Sequence, residues 1–277
     1  MEPESTVPSD ASVVTTELSL QVVSPATLVL QVAVAAEPDD LDEELALVGD
    51  GGRLEATAVP GLGLGRQHVV HAPVGPLSVR YTARVRSSGS RAGAEVTVAE
   101  RVEALRPSRY CPSDRVLGLA GAEFGGIASV ADRVRAVCEH VASRTSYTAG
   151  VSGPTTDAVD TLLAGAGVCR DYAHAVAMLC RAAGVPARLA AVYAPGLSPM
   201  DMHAVVEAEV EGRWTVWDAT RLAPRHTLVR IATGRDAADT AFVTVLDGRA
   251  DLEQMSVMAT APGRLPVDDH DGLLGLA

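Results

Sequence analysis

The first hundred residues carry a β-type pattern, in which Val-rich or alternating runs are separated by turn residues. Positions 77–86 alternate between apolar and polar residues, which is typical of a strand with one buried and one solvated face. Comparable runs predict strands at 13–23, 27–35, 53–59, 67–72, 77–86 and 95–102. Turn signals such as Ser24-Pro25 lie between them. The pattern predicts an N-terminal antiparallel β-sandwich over residues 1–104.

The period changes after a connector rich in proline and polar residues at 105–114. Apolar residues recur at helical spacing along 130–143, and a second short helix is predicted before Gly165. A third helix is predicted from Cys169 to Ala183, where Gly184 ends it. Further strands are predicted at 188–193, 203–210, 213–218, 227–232, 241–246 and 252–261.

These segments indicate an α+β chain whose second domain packs helices on an antiparallel sheet. We therefore expect a β-sandwich domain at 1–104, a second domain at 105–262 and a flexible acidic tail at 263–277. The chain of 277 residues is long enough for one or two domains of ordinary size.

Charge and composition narrow the classes of partner. The formal net charge is −12, and no cluster of basic residues is present, which argues against a nucleic-acid surface. The start of the chain is acidic and leads into no apolar leader, and no run is long enough to span a membrane. We expect a cytoplasmic protein that binds neither nucleic acid nor membrane. Composition does not indicate an oligomeric state.

Four cysteines, at 111, 138, 169 and 180, form no C-x-x-C pair. Their spacing resembles neither a zinc site nor a dense disulfide framework, so reduced thiols are the simplest interpretation. No metal or cofactor site is predicted. All basic residues are arginine, and the chain contains neither lysine nor asparagine, a bias typical of a GC-rich genome.

Cys169 is the strongest candidate for chemistry because of its position in the pattern. It lies in Gly-Ala-Gly-Val-Cys-Arg-Asp-Tyr-Ala-His (165–174), where the third predicted helix begins. A thiol attacks a carbonyl as its thiolate, which a nearby imidazole and the positive end of a helix stabilise. An amide at the helix start can also donate to the oxyanion that forms. The alternative is a small buried core thiol, which is commoner for a cysteine taken alone.

A base and an acid follow the cysteine in chain order. A Glu-Gly turn joins the predicted strands 203–210 and 213–218 into a hairpin. A two-residue loop places His203 and Asp218 on the same face in either permitted register. The carboxylate can then hold one imidazole nitrogen and present the other to Cys169. A packed histidine and a turn-forming aspartate are the alternatives for each residue taken singly.

Four linked segments form a recognisable set: Gly-Val-Cys-Arg-Asp-Tyr-Ala-His (167–174), Ala-Gly-Val-Pro-Ala-Arg (183–188), Met-His-Ala-Val-Val-Glu (202–207) and Trp-Thr-Val-Trp-Asp-Ala-Thr (214–220). Together they resemble the transglutaminase-like superfamily, and most closely its bacterial cysteine-protease-like branch with an added N-terminal β-rich domain. The resemblance spans about residues 105–247. It implies a papain-like transglutaminase core and a Cys-His-Asp triad, which falls on Cys169, His203 and Asp218.

Other polar residues near the cysteine receive structural interpretations. Asp171 lies in the first helical turn, where its charge favours the helix dipole. His174 is predicted to be a packed or hydrogen-bonded histidine, and Cys111 a feature of the fold. Trp214 and Trp217 lie in the predicted strand that ends at Asp218. Cross-strand packing of their rings is favoured over a role in excluding water from the His203–Asp218 pair.

The sequence predicts thiol-dependent acyl transfer on amide bonds of a protein or peptide substrate, through a thioester. The residues do not decide between water and an amine as the acceptor; the resemblance to the bacterial members favours hydrolysis, and transfer to an amine, as in a transglutaminase, stays open. An arylamine acetyltransferase is not supported, because the Arg-Gly-Gly sequence expected before the cysteine is absent. A papain-type protease is not supported either, because His203 follows the cysteine too closely in the sequence. A non-catalytic interaction scaffold is the alternative from another class, although a scaffold needs no triad.

Overall fold

The computed structural model describes residues 11–62, 65–86 and 93–276. The acidic start of the chain, on which the prediction about an export signal rests, lies outside these residues. Within them, no helix combines the length and apolar character needed to cross a bilayer. The helices are α1 (Val98–Ala104), α2 (Leu117–Phe124), α3 (Val130–Arg144), α4 (Ala158–Ala164), α5 (Cys169–Ala182) and α6 (Ala237–Thr240).

The strands form two groups along the chain, of which the first precedes α1 and the second lies among the later helices. The first group is β1 (Ala11–Leu30), β2 (Leu41–Gly49), β3 (Gly52–Arg53), β4 (Thr57–Pro60), β5 (Arg66–Ala72) and β6 (Gly75–Arg86). The second group is β7 (Ser146–Tyr147), β8 (Ala166–Gly167), β9 (Ala187–Tyr193), β10 (Met202–Val210), β11 (Arg213–Trp217), β12 (Val229–Gly234) and β13 (Val243–Thr260).

The N-terminal strands form one bent antiparallel sheet around β1. The first part of β1 pairs with β6 and its last part pairs with β5. Ser24-Pro25, predicted as a turn between two strands, is instead a bend within β1, where the register with β13 shifts. Proline is tolerated at such irregularities because the ladder already lacks a hydrogen bond there. Alternate β1 residues, among them Val14 and Leu28, are buried in the core of this sheet.

The last long strand belongs to this first sheet. β13 pairs with β1 along almost its whole length, from Val13 opposite Thr260 to Leu30 opposite Val243. The predicted boundaries placed 241–261 in the second domain as two strands, and the structure has one continuous strand instead. Gly248 has φ +73°, and a Cβ there would lie 2.1 Å from the Pro25 oxygen, so the bend of β1 requires glycine opposite it.

The second sheet has the strand order β11-β10-β9-β12 among the described residues. One face packs against α5, whose apolar residues share a core with Leu189 and Val206. The opposite face forms a separate core around Val192, Val205 and Val216. The hairpin has one of the two registers that the two-residue turn permits, since Val206 pairs with Trp217 and Val210 with Arg213.

The C-terminal segment (residues 262–276) packs against the opposite face of the second sheet. Leu274 and Leu276 are buried in the core there, and the Val216 amide donates to Leu274 O at 2.7 Å. Asp268 forms a buried ion pair with Arg225. A flexible acidic tail was predicted at 263–277, and these contacts show that its described residues are packed on the sheet instead. Besides these two leucines, the attachment involves an ion pair with a distant residue, which local sequence patterns do not reveal.

Candidate active site

Cys169 is the first residue of α5, as predicted. Val168 precedes it in extended conformation, and its backbone N–H donates to Asp171 Oδ2 at 2.9 Å. Asp171 therefore satisfies an amide at the start of the helix, and its charge favours the positive end of the helix dipole. The Cys169 side chain is partly exposed, whereas the other three cysteines are buried. Cys169 is therefore the thiol that a substrate can reach.

Asp171 also packs closely against the residues that precede the cysteine. It is fully buried and accepts hydrogen bonds from Ser152 and from Arg170. A Cβ on Gly167 would lie 2.7 Å from the Asp171 Cβ, so a side chain at 167 would displace this carboxylate. Glycine at position 167 thus leaves room for the Asp171 side chain that caps the helix. This role was not predicted from the sequence.

His203 and Asp218 are in direct contact, as the hairpin prediction requires. His203 Nε2 lies 2.8 Å from Asp218 Oδ2, and both side chains are essentially inaccessible to solvent. The other carboxylate oxygen, Oδ1, accepts from the backbone N–H of Thr220 at 2.8 Å and from its hydroxyl at 2.7 Å. Thr220 was not singled out from the sequence, although the Asp-x-Thr spacing is typical of such a turn.

Burial and charge act in opposite directions on this pair. Burial lowers the pKa of His203, but the Asp218 charge, the hydrogen bond between them and the Cys169 thiol outweigh burial and raise it. For Asp218, burial raises the pKa. The His203 charge and the hydrogen bonds from His203 and Thr220 outweigh burial, so the pKa of Asp218 is lowered overall. The pair therefore favours an imidazolium beside a carboxylate.

The Cys169 thiol is a neighbour of His203. His203 Nδ1 is buried and has no hydrogen-bond partner within the described ranges. Cys169 Sγ lies 3.9 Å from the carbonyl oxygen of Met202, the residue preceding His203. The thiol is also near enough to His203 to contribute to its raised pKa. The structure thus brings together all three residues that the sequence predicted.

Tyr147 is a neighbour of the thiol whose place the sequence did not establish. Strand β7 pairs with β8 so that Tyr147 lies opposite Gly167, two residues before Cys169. Burial and the neighbouring Cys169 thiol raise the pKa of Tyr147 to about 12, so its hydroxyl stays protonated. A protonated phenol can donate a hydrogen bond, and the pairing of β7 with β8 brings this one near Cys169.

His174 lies on the same helix in a different environment. Its Nε2 accepts from the Ala237 amide at 3.1 Å, and its ring stacks on Tyr110 with centroids 5.1 Å apart. Burial lowers the pKa of His174 to about 4, so the ring is neutral. The expected packed, hydrogen-bonded histidine is what the structure has.

The remaining candidates have packing roles. Cys111 and Cys180 are buried, and burial raises the pKa of each thiol to about 12, which makes them unreactive. Trp217 is buried in the core beside α5. Trp214 is also buried, and the centre of its ring lies 4.1 Å from the guanidinium carbon of Arg188. In the part of the chain that the structure describes, no group of three or more His, Cys, Asp or Glu side chains is arranged to hold a metal ion.

Comparisons with known proteins agree with this geometry. Residues 120–219 match the family model of the transglutaminase-like superfamily, a range that includes all three residues of the site. A crystal structure from Cytophaga hutchinsonii, described as that of "a Putative Cysteine Protease", is 32% identical and covers 96% of both chains with a TM-score of 0.83. The chain belongs to the transglutaminase-like superfamily.

The α+β fold class is confirmed by this match, which covers the N-terminal sheet as well as the transglutaminase-like core. A protein of Mycobacterium leprae is 27% identical over 151 residues, which is 50% of this chain and 53% of the relative; the chain thus spans about half the length of that curated relative. The periplasmic domain of TgpA from Pseudomonas aeruginosa is 22% identical over 73% of this chain and 91% of that domain, with a TM-score of 0.41. Membership of the superfamily and the first match support a cysteine-protease-like protein.

Proposed function

We propose that this transglutaminase-like protein cleaves amide bonds by thiol-dependent acyl transfer, with hydrolysis as the outcome. Cys169 is the nucleophile, His203 the acid and base, and Asp218 the residue that orients the imidazole. The observation that carries the proposal is the buried contact of 2.8 Å between His203 Nε2 and Asp218 Oδ2, which leaves Nδ1 for the thiol. This is the division of roles in a nucleophile–base–acid triad.

Each step follows from the position of a group in the site. The Cys169 sulfur attacks the amide carbon while His203 holds the thiol proton, and the carbonyl oxygen becomes an oxyanion. We assign the Cys169 amide and the Tyr147 hydroxyl as the donors to that oxygen. The C–N bond then breaks as the imidazolium gives its proton to the leaving amine or ammonia, and a thioester remains.

Water resolves the thioester in the second half of the reaction. His203, now neutral, takes a proton from the water as its oxygen attacks the thioester carbon. The C–S bond breaks, a carboxylic acid leaves, and His203 returns the proton to the Cys169 thiolate. Asp218 stabilises the imidazolium at both stages, because its buried carboxylate is ionised and already hydrogen bonded to the ring.

Intact-mass analysis of products tests this proposal without knowledge of the natural substrate. Wild type and Cys169→Ser are incubated with a pool of glutamine-containing peptides, with and without a small primary amine. Hydrolysis predicts peptide cleavage, or a gain of about 1 Da by deamidation, only with wild type. Incorporation of the amine would instead establish transamidation. No mass change that depends on Cys169 would contradict both reactions and favour the scaffold alternative.

A further inference from the structure

The C-terminal segment holds the strand that leads to Asp218. β11 is an edge strand of the second sheet, so alternate backbone groups on its outer side have no strand partner. At Val216, the N–H donates to Leu274 O at 2.7 Å and the carbonyl accepts from Arg225 Nη1 at 3.0 Å. Both outward groups of this residue are thus bound from outside the sheet. Since Val216 is two residues from Asp218, these contacts fix the end of the strand from which that carboxylate projects.

Arg225 is itself held by the C-terminal segment. Its Nε and Nη2 each donate to a different oxygen of Asp268 at 2.9 Å, and its backbone N–H donates to Asp268 Oδ2 at 2.8 Å. The two side chains are 1% and 2% exposed. Arg225 Nη1 also donates to Gly272 O at 3.2 Å. A buried, two-pronged pair of this kind fixes the guanidinium, and loss of either partner leaves an unpaired buried charge.

The same pair lies directly behind the acid of the triad. The Arg225 guanidinium carbon is 6.0 Å from the centre of the Trp217 ring, and Trp217 is the residue before Asp218. A small cavity behind the carboxylate is lined by Asp218, Trp217, Arg225 and His270, together with neighbouring side chains. The C-terminal segment, through His270 and the guanidinium that it holds, therefore supplies part of the wall behind Asp218.

We propose that Asp268 is a positioning residue for the Asp218–His203 pair and acts through Arg225. The inference rests on the proposed function, since it assigns a support to that site. Without the Asp268 charge, Arg225 loses its fixed orientation and releases the Val216 carbonyl. The end of β11 then shifts, the contact between Asp218 and His203 weakens, and the imidazolium that accompanies the thiolate is less stable.

The pH dependence of Cys169 alkylation tests this role without a substrate. The rate of iodoacetamide labelling of Cys169 is followed by peptide mass from pH 5 to 9 in wild type, Asp268→Asn and Asp269→Asn. In Asp268→Asn we expect the acid limb of the profile to move up by about one pH unit, so that labelling at pH 6 slows about tenfold. Asp269→Asn is the matched control, because this neighbouring carboxylate is exposed and binds only backbone amides through Oδ1. It should keep the wild-type profile.

A second variant covers the case in which Asp268→Asn fails to fold. Arg225→Lys keeps the buried charge but loses the two-pronged contact, and circular dichroism shows whether each variant is folded at the temperature used. A shift in the same direction for Arg225→Lys supports the proposal. A folded Asp268→Asn or Arg225→Lys with the wild-type profile overturns it. Wild-type Cys169 that labels no faster at pH 6 than a simple thiol would instead contradict the proposed function.

Discussion

Two buried histidines, His174 on helix α5 and His203 on the adjacent strand β10, differ in the direction of their pKa shifts. His203 contacts a carboxylate oxygen of Asp218 at 2.8 Å, and its pKa is raised despite burial. His174 accepts a hydrogen bond from an amide and stacks on a tyrosine, and burial lowers its pKa to about 4. Burial alone therefore removes the charge of an imidazole, and a carboxylate in direct contact restores it. That contact distinguishes the candidate base from a histidine that maintains the fold.

Exchange of each histidine for glutamine should give the largest contrast. We expect His203→Gln to slow turnover of a peptide found by the mass assay by about 10²–10⁴-fold, because glutamine cannot exchange a proton. His174→Gln should stay within about threefold of wild type, since the amide oxygen can still accept from Ala237. Its cost should appear in the free energy of unfolding, at about 1–3 kcal/mol. Equal loss of turnover in both variants would remove the distinction.

The two aspartates of the same regions offer a second contrast. Asp218→Asn should lower turnover by about 10²-fold or more, because the amide favours the wrong tautomer of His203. Asp236 is equally buried, but it accepts from the amides of Tyr110 and Ala238. We expect Asp236→Asn to reduce the melting temperature and to leave turnover of the folded fraction nearly unchanged. The comparison fails if Asp236→Asn loses turnover to the same extent as Asp218→Asn.

A pair of tyrosines tests the contribution of the phenol beside the thiol. Tyr147→Phe should lower kcat by about 10–10²-fold with little change in KM, because one oxyanion donor is removed. Tyr172 is the control: its ring centre lies 6.0 Å from that of Tyr147, but its hydroxyl donates to the Thr145 carbonyl. Tyr172→Phe should affect stability and spare kcat. Unchanged kcat in Tyr147→Phe would leave the Cys169 amide as the donor with no contribution from the phenol.

The Asp268–Arg225 pair predicts a smaller effect on stability. The hydrogen bonds and charge of Arg225 outweigh burial and hold the pKa of Asp268 well below its usual range. A depressed pKa stabilises the folded state above the unfolded pKa of about 3.9, and this stability is lost as pH falls toward the folded value. Between pH 5.5 and 3, urea unfolding of wild type should lose about 1–2 kcal/mol more than that of Asp268→Asn. Parallel losses would show that the pair contributes nothing.

The site was predictable because its geometry is local. A two-residue turn and the period of two fix the faces of β10 and β11, and the change to helical spacing places Cys169 where α5 begins. The pattern therefore predicted that His203 and Asp218 share a face, and the family resemblance added Cys169 to them. The roles of Tyr147 and Thr220 depended on a short parallel pairing and a turn contact that the pattern did not specify.

The parts of the fold that were missed involve contacts between distant segments. β13 pairs with β1 across most of the chain, and no local signal states which sheet a terminal strand will join. The C-terminal segment is likewise attached through a distant contact, between Asp268 and Arg225. Arg225 is buried, and among the described residues Asp268 is the carboxylate with which it pairs. The cytoplasmic location and the absence of nucleic-acid and membrane partners stay predictions.

The most direct test is an NMR titration of ¹⁵N-labelled histidine side chains between pH 5 and 9. The His203→Gln and His174→Gln spectra assign the two rings. We predict that His203 stays protonated above pH 7 in wild type and loses that protonation in Asp218→Asn, while His174 stays neutral throughout with its proton on Nδ1. A wild-type His203 that titrates near the ordinary value of about 6.5 would contradict the triad.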